Sequence, residues 1–346
     1  MVLLSIVLGI DHGNGYVKAK SKYKSIVLPS AFCRSDAFGE DSWDGVGKLD
    51  VNIIKSSNYK DEEYAWGRDI DKANNLINTY TSENRYNQKP YQLLSEFIMA
   101  SLLEPGKHDD IIVVTGCPSE EKGTDQEEAL KNVFLGGHII TIDEKDYIFN
   151  VSQVVVLPQP LGTILDLYIG EDGYVSDDTY EEDYVGIVDI GSGTTDLDGI
   201  KGLKRQSGDK QTINIGMHTC YQQIANYINE QNTSALANRF KVEKQIIHNE
   251  EKDSFIISKR ASVDIAQIKE RVYRETAEDL ANQINQIWTT RSKFDKLLLT
   301  GGGVDDFGKY FKEEWEKDVI LATNSQMANA NGFYKHGLNL LASVNS

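Results

Sequence analysis

The chain has 346 residues, of which 40% are hydrophobic, enough for proper cores and more than one core usually holds, so two lobes are expected. A formal net charge of −17 argues against direct contact with a nucleic-acid backbone, where Lys and Arg supply most of the affinity; any link to DNA would run through a basic partner. Cys33, Cys117 and Cys220 form no C-x-x-C pair, an odd count that fits packing residues in a reducing cytoplasm, and the six histidines show no zinc-binding spacing.

In chain order, the apolar stretch 2–10 is too short to span a bilayer and lacks a cleavage site, so it reads as a buried strand. It runs into Asp11-His12-Gly13-Asn14-Gly15, with Lys18 three residues on; His12 reads as a bland loop residue. Residues 16–20 and 25–29 alternate as strands of an antiparallel meander. The polar region of about 32–87, including Tyr64-Ala65-Trp66-Gly67, reads as an inserted subdomain. Leu94, Phe97, Ile98 and Leu102 then fall at helical spacing over 91–103, stopped by Pro105-Gly106, and 110–116 is a continuously apolar strand covered on both faces. An acidic helix over 119–135, a hairpin over 138–150, a strand over 151–157 and a helix over 161–168 complete the first lobe, residues 1–170. Seven acidic residues between Glu171 and Asp183 mark a solvated boundary loop.

The second lobe, 171–325, opens with the hairpin 185–200 and continues to a helix near 217–230 and a polar insertion of about 230–260. A long amphipathic helix over 262–288 is expected, with Ser262 as its N-cap. Lys296 to Gly303 is a strand and glycine turn. Residues 326–346 form a helix that closes onto the first lobe.

The chemistry concentrates in Val188-Asp189-Ile190-Gly191-Ser192-Gly193-Thr194-Thr195-Asp196, where a β-branched strand breaks into a turn of glycines and small hydroxyl residues. Gly191 and Gly193 let the backbone turn sharply and bring N–H groups against a phosphate, with Asp189 facing its metal. The looser copy at Asp11 lies 178 residues earlier (189 − 11), which points to a duplicated fold gripping one nucleotide from both sides. Residues 303–310 approach a P-loop, but Tyr310 replaces the magnesium-binding hydroxyl and Asp305 and Asp306 would repel phosphate, so that match is rejected.

The order Asp11-x-Gly13-Asn14-Gly15-x-x-Lys18, Pro158-Gln159, Asp189-x-Gly191-Ser192-Gly193-Thr194-Thr195-Asp196, Thr300-Gly301-Gly302-Gly303 and Ala328-Asn329-Ala330-Asn331-Gly332-Phe333 resembles the actin, DnaK-type chaperone and sugar kinase superfamily. Within it, the chain resembles the ParM-type plasmid-segregation ATPases of Gram-positive plasmids. The resemblance implies an α/β fold of duplicated actin-like (ribonuclease H-like) lobes, each with a smaller insertion, and a nucleotide in the interlobe cleft. It implies ATP, with GTP as the alternative, and Mg2+ oriented by Asp11 and Asp189 through water. Backbone amides at Gly13, Asn14, Gly15, Gly191, Ser192, Gly193 and Thr194 would hold the phosphates, and Lys18 would add charge. Gly301, Gly302 and Gly303 would pack on adenine and the α-phosphate. Lys269 and Glu270 would touch the nucleoside, the bland alternative being a solvated helix face. Gln159, a neutral amide, would align the attacking water with Asp189 assisting, or else merely cap the next helix.

The resemblance further implies a filament of this chain with itself, slow ATP hydrolysis as its timer, and an adaptor bound to centromere-like plasmid DNA in the bacterial cytoplasm. It implies no direct nucleic-acid or membrane contact. The rival is a small-molecule kinase of the same fold, with Asp196 as base unless that residue is structural. A chaperone-like or cell-division scaffold is weaker, since no substrate domain or amphipathic membrane helix is read at either end.

Overall fold

The computed structural model describes residues 5–37, 49–60, 62–73, 75–79, 84–118, 120–248, 251–315 and 319–344. Parts of the expected insertions (38–48, 61, 74, 80–83 and 249–250), residues 2–4 of the first strand, residue 119 of the acidic helix and the last two residues of the closing helix lie outside them. In chain order come strands β1 (Ile6–His12), β2 (Tyr16–Ser21), β3 (Ser25–Pro29), β4 (Ala31–Arg34), β5 (Val51–Ser56), β6 (Tyr64–Gly67) and β7 (Ile77–Asn78). Helix α1 (Lys89–Ser101), β8 (Gly106–Cys117), α2 (Asp125–Phe134), β9 (Gly136–Ile142), β10 (Lys145–Pro158) and α3 (Leu161–Tyr168) follow. Next are β11 (Tyr184–Ile190), β12 (Thr195–Lys201), β13 (Lys204–Ile213), α4 (Met217–Gln231), α5 (Arg239–His248), β14 (Ser254–Ser258) and β15 (Ala261–Asp264). The chain ends with α6 (Ala266–Ile287), β16 (Lys296–Thr300), α7 (Val304–Trp315), β17 (Val319–Leu321) and α8 (Ala328–Val344).

Two compact units result: Met1–Asp178 with Met327–Ser346, and Thr179–Gln326. The first contains the sheet order β3-β2-β1-β8-β10, and the second contains β13-β12-β11-β16-β17. Each is an antiparallel meander of three strands followed by two strands parallel to the first, so the duplication is visible in the topology itself.

In the first unit, β8 shows why its apolar run is continuous. Side chains alternate across a strand, so Ile111 and Val113 join the cluster that includes Phe97 and Ile98 of α1, while Ile112 and Val114 join Phe333 of α8. β10 differs from the expected hairpin and separate strand: it is one strand of 14 residues. Register shifts lie between Phe149 and Gln153; the first half of β10 pairs with β9, and from Tyr147 to Pro158 it keeps β8 as a parallel partner. β9 leads on to β5, β6, β4 and β7, which joins the polar insertion to the main sheet. A buried ionic knot pins that junction. Glu96 of α1 accepts from Ser56 Oγ at 2.6 Å and Asn58 Nδ2 at 2.6 Å, and lies 3.2 Å from His138 Nδ1.

In the second unit, α4, α6 and α7 supply the core around Val188, Ile190, Leu297 and Leu299. The long helix starts later than expected, and Ser262 is not its cap. Residues 261–264 pair with β14 instead, and the Asp264 carboxylate accepts from the Ala266 N–H at 2.9 Å at the helix start. α7 lies outside the expected elements, although Val304, Phe307, Phe311 and Trp315, all buried, repeat at helical spacing. The three cysteines are free and buried, and burial pushes the Cys33 and Cys117 thiols up to about 11. Among the described residues no helix is long and apolar enough to cross a membrane.

The Asn-Gly-Phe segment of α8 is explained by contact. A Cβ on Gly332 would sit 1.8 Å from the Gly162 carbonyl oxygen, so α8 and α3 touch backbone to backbone. Gly332→Ala must separate these helices and is expected to cost about 1–3 kcal/mol. Denaturant unfolding checks this; an unchanged midpoint would show that the close approach carries no stability.

Candidate functional site

Two turns carry the candidate groups, one in each unit. In the first, the β1–β2 register sets Lys18 directly opposite Asp11. The Asp11 carboxylate, only 5% exposed, accepts from Lys18 Nζ at 3.3 Å and from Gln159 Nε2 at 3.2 Å. Gln159 reaches it because β10 ends beside β8, where the Gln159 N–H donates to the Cys117 carbonyl at 2.9 Å. Three residues from two motifs, Asp11 and Lys18 of one and Gln159 of the other, are thus one hydrogen-bonded group. Gln159 Oε1 accepts no hydrogen bond among the described residues, which leaves an acceptor beside the buried carboxylate. The Asn14 and Gly15 N–H groups likewise donate to no group among them, and both residues are exposed. Ser30 Oγ donates to the Gly13 carbonyl and steadies the turn.

His12 is not a loop residue. It ends β1, stacks on Tyr91 with ring centroids 4.0 Å apart, and lies 3.4 Å from Ser95 Oγ. Burial, with the nearby charges of Arg85 and Lys18, pushes its pKa down to about 3, so the ring packs as a neutral group.

The second turn has the same seven-residue offset with a different partner. Asp189 is opposed by Asp196 across the antiparallel ladder and by Thr300 on the parallel side. Asp196 is taken by hydroxyls: Thr212 Oγ1 donates to it at 2.5 Å and Thr194 Oγ1 at 3.4 Å. Gly301, at φ +92°, adopts a backbone conformation that favours glycine, and a Cβ there would lie 2.4 Å from Asp189 Oδ1. Backbone therefore packs against the carboxylate where any side chain would collide. The Gly303 N–H donates to the Ile190 carbonyl at 3.1 Å and locks the glycine turn onto β11.

The turn residues divide their work. The Gly191 N–H donates to the Thr194 carbonyl at 2.9 Å, so Gly191 closes the turn and its amide is not available to an anion, contrary to the expectation for that residue. The N–H groups of Ser192, Gly193 and Thr194 donate to no group among the described residues. The carbonyl groups of Gly191 and Ser192 are anchored by α4. The Met217 N–H donates to the Gly191 carbonyl at 3.1 Å and the His218 N–H to the Ser192 carbonyl at 2.7 Å. Gly216 carries the legible signal, since a Cβ there would lie 2.7 Å from the Gly191 carbonyl oxygen.

Lys269 and Glu270 are already engaged. Lys269 Nζ donates to the Asp253 carboxylate and to the Lys252 carbonyl, and Glu270 accepts from Lys309 Nζ at 2.8 Å. The Lys309 hydrogen bond lowers the Glu270 pKa. Asp305 and Asp306 occupy the first turn of α7, where burial pushes the Asp306 carboxyl up to about 6.

Comparison with known proteins agrees with this geometry. The model for the N-terminal domain of actin-like proteins matches residues 9–162, and that for the C-terminal domain of the archaeal, MreB-like actin homologue matches residues 187–313. No curated protein sequence matches the chain. Apo pSK41 ParM is 25% identical, with a TM-score of 0.79 and 99% of both chains covered. The archaeal actin homologue Ta0583, in complex with ADP, is 17% identical with a TM-score of 0.76, covering 96% of this chain and 99% of that one. ParM in a 15-stranded filament from Clostridium botulinum is 18% identical with a TM-score of 0.73, covering 96% and 99%. The two family models fall one on each unit, each over a strand, a carboxylate and a glycine turn of the same design, and the chain belongs to the actin-like proteins, with the fold of ParM.

Proposed function

We propose that this chain is an actin-like ATPase that joins head to tail into filaments with Mg-ATP bound, GTP being the alternative nucleotide, and that hydrolysis weakens the joints. The observation that carries the reading is the repeated hairpin: Asp11 with Lys18 and Gln159 on one turn, Asp189 backed by Gly301 on the other. The ADP complex of Ta0583 and the ParM filament from Clostridium botulinum support it by likeness of fold. A heterologous contact that does not close into a ring gives such a polymer.

Both turns would serve one nucleotide. The free amides of Asn14, Gly15, Ser192, Gly193 and Thr194 would donate to the β- and γ-phosphates, with Gly13 shaping its turn. Lys18 would share its charge between Asp11 and the phosphates. Gly301, Gly302 and Gly303 would leave room for the α-phosphate and base, with Lys269 and Glu270 at the nucleoside. The residues present fit magnesium met through water. Among the described residues no three His, Cys, Asp or Glu side chains gather to hold a metal alone, so Asp11 and Asp189 would meet an ion carried by the phosphates. When bound, magnesium neutralises charge on the β- and γ-phosphates. Gln159, donating its amide to Asp11, keeps its carbonyl oxygen for the attacking water and orients it without removing a proton. Slow hydrolysis is expected from a neutral amide at that position.

The net charge of −17 suits a protein that leaves DNA to an adaptor bound at a centromere-like site, so that filament growth separates low-copy plasmids in a bacterial cytoplasm. For the kinase alternative, the two threonine hydroxyls that donate to Asp196 favour a structural role for that residue over one as base.

Mg-ATP is expected to raise light scattering and pelletable protein, and no rise at any salt or protein concentration would contradict the filament reading. Turnover accelerated many-fold by a sugar or small acid would favour the kinase instead. Gln159→Ala should slow hydrolysis about 100-fold through loss of water alignment while nucleotide affinity stays within a few-fold. Wild-type turnover in that variant would remove Gln159 from the chemistry. Asp189→Ala, judged folded by its far-ultraviolet spectrum, should abolish turnover, and normal hydrolysis would overturn the site assignment.

A further inference from the structure

His218 ties the second turn to an exposed apolar helix. His218 donates its backbone N–H to the Ser192 carbonyl at 2.7 Å. Its ring stands edge-on to Phe240 at 6.0 Å, and its Nε2 lies 3.6 Å from the Glu243 carboxylate. Phe240 and Glu243 belong to α5, so His218 links the turn to this helix beside the core that α4 and α5 share.

Helix α5 is apolar on two faces. Val242 and Ile246 are buried in the core, which accounts for its inward stripe. Phe240 is nevertheless 59% exposed, and Ile247, two helical turns on, is also exposed. Leu236, just before the helix, is 72% exposed at φ +46°, a conformation that an apolar side chain rarely adopts and that the surrounding fold must hold. Exposed Arg239, Lys241 and Lys244 flank this stripe, and the Arg239 guanidinium lies 4.7 Å from the Phe240 ring. A basic, apolar surface on a chain of net charge −17 calls for an acidic, apolar partner, and the chain itself carries one. In the segment 172–182, Asp172, Asp178, Glu181 and Glu182 are exposed, and Tyr174 among them is 63% exposed beside exposed Val175.

We propose that the outward face of α5 is a self-association surface that receives the exposed acidic segment 172–182 of a second copy, and that His218 sets its presentation from the Ser192 turn. The two surfaces differ, so the contact is heterologous and propagates instead of closing. An anion drawn onto the Ser192 and Gly193 amides pulls on the same turn whose carbonyl holds His218, and α5 shifts with it. The proposal rests on the filament reading and gives it a surface and a nucleotide sensor.

Full-length wild type and variants are compared for critical concentration by pelleting with Mg-ATP and Mg-ADP, and for nucleotide affinity with a fluorescent ATP analogue. Phe240→Asp, at a position where the core does not depend on the ring, should leave affinity unchanged and raise the critical concentration about tenfold or more, since a charge would have to be buried in the contact. Lys241→Glu with Lys244→Glu, and separately Asp178→Lys with Glu182→Lys, should each impair assembly, and mixing the two charge-reversed proteins should restore it. His218→Ala should bring the ATP and ADP critical concentrations together. Phe240→Asp assembling at the wild-type concentration, or no rescue by the charge-reversed mixture, overturns the surface; an intact ATP-to-ADP difference in His218→Ala overturns the coupling. Wild type that fails to pellet with Mg-ATP would instead sink the filament reading, and this proposal with it.

Discussion

A carboxylate nearly closed off from water at the end of β1 is the constraint on which the first unit is arranged. Such a group is tolerable only if its lone pairs are filled by donors of suitable charge. Asp11 obtains one from Lys18, which the hairpin register places opposite it, and another from Gln159, which the long β10 strand delivers. Lys18 comes from the local hairpin, whereas Gln159 arrives from 148 residues away. The second unit repeats the strand and turn but opposes Asp189 with Asp196, whose charge is taken by threonine hydroxyls, and it packs glycine backbone against Asp189. Both turns therefore offer a carboxylate and unengaged N–H groups, and the first adds a cation and an amide acceptor. That asymmetry suits a polyphosphate that arrives with its own divalent cation.

The α8 motif belongs to the same arrangement. Phe333 fills the space left by two glycines: a Cβ on Gly116 would lie 2.6 Å from its ring, and one on Gly162 would lie 2.8 Å from it. Gly116 sits on β8 beside the end of β10, and Gly162 opens α3, so Phe333 packs where Gln159 leaves the sheet. A segment at the far end of the chain thus helps to fix the position of the amide that meets Asp11. This gives a physical reason for the Pro-Gln and Asn-Gly-Phe motifs to occur in one chain.

Much of this was legible in the sequence because local pattern carried it. The apolar runs of β8 and β11, the helix α3 and the glycine turns declare themselves by composition and period. What was missed depended on partners distant in sequence. Ala261–Asp264 looked like the start of a helix, and only pairing with β14 makes it a strand. β10 looked like two elements because a bulge interrupts its period while β8 holds it together. Gly191 looked like a phosphate amide, but its N–H closes the turn, and the grip of α4 on that turn appears in no motif beyond Gly216. The helix α7 was legible in the spacing of Val304, Phe307, Phe311 and Trp315.

The proposed function requires that both turns meet the same nucleotide. Amide hydrogen exchange of the full chain, with and without a slowly hydrolysed Mg-ATP analogue and below the assembly concentration, tests it most directly. The account predicts slowed exchange in peptides covering residues 11–18, 189–196 and 300–303, all saturating at one analogue concentration. Protection confined to one unit, with the other turn unchanged at saturation, would contradict it.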